Sequence, residues 1–386
     1  MNKNTKHTKH AKLERPQLGT FARREVAFLG TPCGVIQQLS RQLIDQLGRE
    51  LKVAYVDADH GSGDEAEAGI LPHSQLTYTD KISFQRLDLR VEADSFQYRQ
   101  WFNGQDLVLV NGNHFRAEQQ IVFVDPRKFE SLERKLDRLT GVVGFIKLDA
   151  ATEIPDFLKT HLPDWQALPV WQADEVAAIG QFIRDQFQRQ LPPVKGLVLA
   201  GGKSQRMGRD KGQLNYHGRP QREYLYQLME TQLGIQAYLS CRADQVEDMP
   251  SDHRTVVDSF LGLGPYGAIL SAFREDPNAA WLVVACDLPF VDESGLQYLL
   301  DQRGVSAVAT AFHNPATNFP DPLLTLWEPR AYPVLLQFLS QGYSCPRKVL
   351  INTPVHTVNI PNEHLLTNVN NPAEFEKAKT ILAKAE

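Results

Sequence analysis

Cysteine is scarce in this 386-residue chain: Cys33, Cys241, Cys286 and Cys345 lie far apart, and none has C-x-x-C spacing. Neither a disulfide framework nor a structural zinc site is indicated. Long apolar runs are missing too. The longest, such as Trp281–Cys286, have the length of a strand, so no transmembrane span and no membrane partner are expected. A large excess of one charge is absent as well, since the formal net charge is −5, which argues against a general nucleic-acid binder. The start, Met1–Lys12, is rich in lysine and histidine but has no apolar stretch behind it, unlike a secretory signal. A cytoplasmic protein with a flexible basic tail over 1–25 is the expectation.

What is present is an alternation of short apolar strands and amphipathic helices, over a length that suits two domains better than one. The pair Pro192-Pro193 interrupts this periodicity after a helix expected over Glu175–Phe187. It separates a first domain at 26–190 from a second at 194–386. The expected fold class is α/β, with each domain a three-layer αβα sandwich.

The first domain opens with a strand Val26–Leu29, the turn Gly30-Thr31-Pro32-Cys33-Gly34, a helix over Val35–Leu47 and a strand Val53–Val56. This is the layout of a P-loop domain without its working residues. No Lys-Ser or Lys-Thr follows Gly34, where Val35-Ile36 stand, so the point charge for a β/γ-phosphate is missing and nucleotide hydrolysis is not expected here. The apolar run Leu107–Val110 ends at Asn111, where such an enzyme would carry an acidic metal-site residue. His60, His114 and the run Asp125-Pro126-Arg127-Lys128 are candidate ligand contacts, against the commoner reading of a lone loop histidine as structural or solvated.

The densest chemistry opens the second domain. After the strand Gly196–Leu199 comes Ala200-Gly201-Gly202-Lys203-Ser204-Gln205-Arg206-Met207-Gly208-Arg209-Asp210-Lys211, a glycine-rich turn studded with cations. Without Cβ atoms at Gly201 and Gly202, a ligand can approach the backbone N–H groups closely. Arg206 offers a planar fork to phosphate and Lys211 a point charge. The register fits neither GxxxxGK[ST] nor GxGxxG. Asp258 follows the strand Thr255–Val257 and precedes the turn Gly264-Pro265-Tyr266-Gly267, where it either serves a nucleotide site or simply forms the turn. Asp287 lies just past the strand Trp281–Val284, where open α/β sheets bind ligands, and a hard carboxylate there suits Mg²⁺ held by triphosphate oxygens. Its other reading is a helix N-cap, a role Asp292 fills better. Asn368 and Asn370 alternate in an extended segment, either to bind an acceptor or to stitch the C-terminal loop.

The string LAGG-x-S-x-RMG-x-DK over 199–211 is followed in order by Asp258-Ser259 with Gly264-Pro265-Tyr266-Gly267, by Cys286-Asp287-Leu288-Pro289-Phe290, and by Asn368-Val369-Asn370-Asn371-Pro372-Ala373-Glu374-Phe375. Together these segments resemble the signature of the molybdenum cofactor guanylyltransferases, from Val194 to the C-terminus. The resemblance implies a Rossmann-like nucleotidyltransferase that moves GMP from GTP to molybdenum-bearing molybdopterin, releasing pyrophosphate and leaving a guanine dinucleotide cofactor. It implies Arg206, Lys211 and Asp287 as catalytic, with Leu199, Ala200, Gly201, Gly202 and Asp258 joining Lys211 and Asp287 in the nucleotide site. Asp287 would hold Mg²⁺, Asn368 and Asn370 would face the acceptor, and molybdoenzyme apo-proteins or cofactor-insertion proteins would receive the product. One position departs from the pattern: Cys241 stands where some members place an asparagine on the base. The segment Asp106–Gly112 resembles, less closely, a stretch of the small GTP-binding adaptor that accompanies these enzymes, which implies a degenerate copy of the adaptor fold over 26–187. The rival readings are a nucleotidyltransferase using CTP or another acceptor, and a non-catalytic protein that carries or regulates the pterin.

Overall fold

The structure, a computed structural model, describes residues 12–59, 73–201 and 210–384. The chain divides into two compact units, one from Leu18 to Gln190 and one from Leu191 onward, and residues 12–17 group with the second. Each unit is α/β with a central sheet.

In the first unit, β1 (Glu25–Leu29), β2 (Val53–Val56), β5 (Leu107–Asn111), β6 (Gln119–Val124), β7 (Val142–Lys147) and β8 (Val170–Gln172) form one six-stranded sheet in the order β2-β5-β1-β6-β7-β8. Every pairing in it is parallel. Such a sheet must be covered on both faces. Helix α1 (Cys33–Leu47) does this on one side, burying Ile36, Leu39, Leu43 and Leu47, a stripe at helical spacing, beside α5 (Val176–Arg189). On the other, Val122, Val124 and Phe145 pack with Leu132 and Leu158. A separate hairpin, β3 (Leu76–Asp80) with β4 (Gln85–Leu89), was not expected from the sequence.

The tail expected over 1–25 is corrected at its C-terminal end. Phe21 and Ala22 are buried, with the Phe21 ring against Tyr98, Phe102 and Phe115. The buried Glu25 carboxylate accepts hydrogen bonds from the N–H groups of Thr20, Phe21, Ala22 and Glu118. From Leu18 onward the chain belongs to the first unit, because an aromatic side chain and an internal carboxylate pin it there. Residues 1–11 lie outside the described residues.

The second unit holds a seven-stranded sheet in the order β11-β10-β9-β12-β14-β13-β15, from β9 (Val194–Leu199), β10 (Gln236–Cys241), β11 (Thr255–Val257), β12 (Ala280–Ala285), β13 (Ala309–Asn314), β14 (Phe319–Trp327) and β15 (Val355–Asn359). Only β14 runs against the rest. The strand alternation sorts side chains to two faces: Val198, Leu282 and Val284 enter one core, Leu197, Trp281 and Val283 the other. The chain runs outward from β9 to β10 and β11, then returns to place β12 on the opposite side of β9. That reversal opens a crevice at the carboxyl ends of β9 and β12.

Candidate active site

A cavity of about 500 Å³ lies at that reversal, and residues at the ends of the parallel strands line it: Leu199, which ends β9, with Ala200 and Gly201, Ser240 in β10, Asp258 after β11, and Ala285, which ends β12, with Cys286 and Asp287. A Cβ built on Gly201 would meet Cys241 Cα at 3.4 Å and the Arg242 nitrogen at 3.5 Å, which is ordinary contact. The protein's own packing therefore does not require a glycine there, and the bare backbone leaves room on the cavity side. Gly202 and Arg206 lie outside the described residues, which resume at Asp210.

Asp210 accepts a hydrogen bond from the Gly212 N–H and so starts a single 3-10 turn over Lys211–Gln213. This turn aims Lys211 into the cavity. Its Nζ lies 3.2 Å from Asp287 Oδ2 and donates to Asn370 Oδ1 at 2.7 Å. The other carboxylate oxygen, Asp287 Oδ1, is buried and accepts no hydrogen bond from a described residue. A buried anionic oxygen without a donor is costly and calls for a cation or a protonated partner.

Asp287 is not a helix cap. Asp292 caps α8 (Glu293–Asp301), accepting from the Gly295 N–H at 2.8 Å, which leaves Asp287 free for the cavity. Its backbone carbonyl accepts from the Val369 N–H at 2.9 Å, tying β12's end to the C-terminal segment. There Asn371 caps α11 (Pro372–Leu382), and the Glu374 carboxylate reaches back to the Asn370 N–H at 2.6 Å. This reciprocal cap fixes Asn370 beside Lys211. Asn368 does not share that place: it is exposed and is not among the residues that line the cavity. With no strand pairing to hold 367–370, residue alternation does not keep the two amides together.

Asp258 receives a hydrogen bond from Ser240 Oγ at 3.0 Å, and burial raises its pKa above the ordinary carboxylate value. The N-terminal end of α7 (Pro265–Glu275) also borders the cavity, with Gly264, Pro265 and Ala268 lining it. Gly264 has φ +59°, a left-handed conformation that favours glycine, and the first-turn N–H groups carry partial positive charge suited to an anion. Arg242 is a residue the sequence reading did not select for the site. Its guanidinium donates to the Gly201 carbonyl at 2.8 Å and is held by Asp244, so it props the first residue of the glycine turn. The Cys241 side chain is fully buried in the core and its thiol pKa is raised by burial, so it does not line the cavity.

In the first unit Asp125 has a structural role. Asp125 accepts from Thr31 Oγ1 and pairs with Arg127. Asn111, buried, donates to Asp57. Burial opposes the Asp57 charge, but hydrogen bonds from Tyr55, Gln37, Ala58 and Asn111 outweigh it and hold its pKa below the ordinary value. His60 lies outside the described residues, and His114 lies against Cys33. No helix among the described residues is long and apolar enough to cross a membrane.

Comparison with known proteins adds a family. The MobA-like NTP transferase domain matches residues 196–357. A molybdenum cofactor guanylyltransferase of Pseudomonas putida is 30% identical over 189 residues, covering 48% of this chain and 97% of the relative. A molybdenum cofactor biosynthesis bifunctional protein of Synechocystis is 34% identical over 184 residues, 47% of this chain, and the chain spans only 53% of that relative's length. Among solved structures, molybdopterin-guanine dinucleotide biosynthesis protein A of Archaeoglobus fulgidus is similar over 49% of this chain and 99% of its own, with 25% identity and a TM-score of 0.42. Bacillus subtilis MobB is similar over 42% of this chain and 96% of its own, with 14% identity and a TM-score of 0.31.

Proposed function

We propose that this chain, which belongs to the molybdenum cofactor guanylyltransferase family, transfers GMP from GTP to molybdenum-bearing molybdopterin in the cytoplasm. The observation that carries this reading is the meeting of Lys211, Asp287 and Asn370 in a cavity at the sheet's reversal point.

In the proposed reaction an acceptor phosphate oxygen attacks the α-phosphorus of the nucleotide, forming one P–O bond while the α–β bridging bond breaks and pyrophosphate departs. Both the nucleophile and the leaving group are anionic, so the protein's task is to place them in line and offset their charge. Lys211 supplies a point charge from the 3-10 turn after Asp210, and the α7 N-terminus, which also lines the cavity, supplies donor N–H groups. Arg206 is proposed, from the motif, as the second phosphate cation. The donor set also suits Mg²⁺, which takes one or two carboxylates and completes its shell with phosphate oxygens. Asp287, through its undonated Oδ1, and Asp258 would hold the ion. When bound, it would neutralise charge on the triphosphate. Lys211 already sits on Asp287 Oδ2, which orients the carboxylate with Oδ1 left over.

Pyrophosphate release, measured with GTP or CTP, with and without molybdopterin and Mg²⁺, tests the reading. Turnover with GTP that requires the pterin is the expected result. Turnover with no pterin present, or a preference for CTP, would overturn the acceptor or the base respectively. Apo-molybdoenzymes or cofactor-insertion proteins are the proposed recipients of the product.

A further inference from the structure

The first unit holds a nucleophile paired with a base that nucleotidyl transfer does not use. Cys33 is the first residue of α1, and its Sγ lies 3.2 Å from His114 Nε2. Both side chains are partly exposed, so a small reagent can reach them. The two residues come from separate segments, the β1–α1 turn and the loop after β5, 81 positions apart. That loop is held firmly. Asn113 donates to the Thr31 carbonyl at 2.8 Å and to Cys33 Sγ at 3.7 Å, while its own N–H donates to Asn111 Oδ1. The Asn113 carbonyl accepts from Lys135 Nζ and from Arg138. The 3.2 Å contact places the imidazole where it can take the thiol proton as the sulfur attacks.

The remaining cysteines lie in other settings. Cys241 and Cys286 are buried in the second unit's core, and Cys345 is exposed.

We propose that Cys33 is a nucleophilic thiol with His114 as its general base, forming a modification site that takes hydroperoxides. The sulfur attacks the terminal peroxide oxygen; an S–O bond forms and the O–O bond breaks. His114 accepts the thiol proton and returns a proton to the departing oxygen, so hydrogen peroxide leaves as water and an alkyl hydroperoxide as its alcohol. Sulfur is oxidised by two electrons to a sulfenic acid, and the peroxide is reduced by the same two. The glycine turn that in a P-loop domain would cradle phosphate here carries a thiol instead.

The test treats the full chain with hydrogen peroxide in the presence of a 1,3-diketone that traps sulfenic acid, and follows labelling at each cysteine by mass spectrometry. Cys33 is expected to label about 100-fold faster than the exposed Cys345, and His114→Gln to bring Cys33 down to the Cys345 rate with the melting temperature unchanged. Cys33→Ser serves as the blank. Equal rates at Cys33 and Cys345, or an unaltered Cys33 rate in His114→Gln, would overturn the proposal. Should His114→Gln fold poorly, His114→Asn and the comparison of the two cysteines in the unmodified chain decide it.

Discussion

Lys211 and Asp287 are 76 positions apart in sequence and 3.2 Å apart in space, and this contact sets the expectations at the residue scale. Lys211→Ala removes the only point charge that the described residues aim at both Asp287 and Asn370, and it is expected to lower the transfer rate about 100-fold with little loss of stability. Pyrophosphate release together with a thermal melt checks both halves of that statement. Asp258 yields a pH prediction. Its folded pKa is raised, by burial first, so between the unfolded and folded values the native state binds more protons and stability falls as pH rises through that interval. Asp258→Asn should therefore melt higher than the unaltered protein at neutral pH, with the gain shrinking below the ordinary carboxylate range. A gain that persists unchanged at acid pH would show that burial of the charge is not its source. Lys211, Asp258 and Asp287 were legible as candidates because two of them follow apolar strands and the third ends a glycine-rich turn, and all three line the cavity. Arg242 was not legible, since its part is to hold a carbonyl of the glycine turn, and no motif marks a side chain that acts on backbone.

At the scale of elements, the strands that carry the site were readable because apolar runs of strand length end at polar residues. The order of those strands was not. β14, antiparallel, sits between β12 and β13, and the pairing of β13 with β15 joins segments that no local pattern connects. The hairpin β3–β4 was not legible for a related reason: Leu76-Thr77-Tyr78-Thr79 and Leu87-Asp88-Leu89 alternate, but Leu76, Tyr78 and Leu87 are exposed, so no buried core fixes the pairing of these two segments. α7 gives a sharper expectation. A Cβ on Gly267 would collide with the Phe260 carbonyl oxygen, a backbone atom that cannot swing aside. Gly267→Ala should push the 258–264 loop from the helix, cost about 2 kcal/mol, and weaken nucleotide binding. Calorimetric titration of GTP into the variant checks it, and unchanged affinity would mean that the loop's position is immaterial to the site.

At the scale of the whole molecule, each unit has its own sheet and its own buried clusters. Leu43, on the core-facing stripe of α1, is fully buried, so Leu43→Ala should destabilise the first unit by about 3 kcal/mol while the transfer rate stays as it was. Residues 191–386 expressed alone should still release pyrophosphate from GTP and pterin, because the described residues that line the cavity all come from this stretch. Loss of turnover in a folded 191–386 fragment would assign the first unit a direct part in the chemistry.

The sequence by itself determined the α/β class and which strand ends carry carboxylates, because strand alternation and helical periodicity are local constraints. It also determined that the Gly30–Gly34 turn lacks a P-loop lysine. Only the tertiary structure decided that Asn370, and not Asn368, stands with Lys211, and that His114 rests on Cys33. Those outcomes depend on which strands lie side by side and on how segments far apart in the chain cap and pin one another, and such long-range contacts leave no periodic trace in the order of residues.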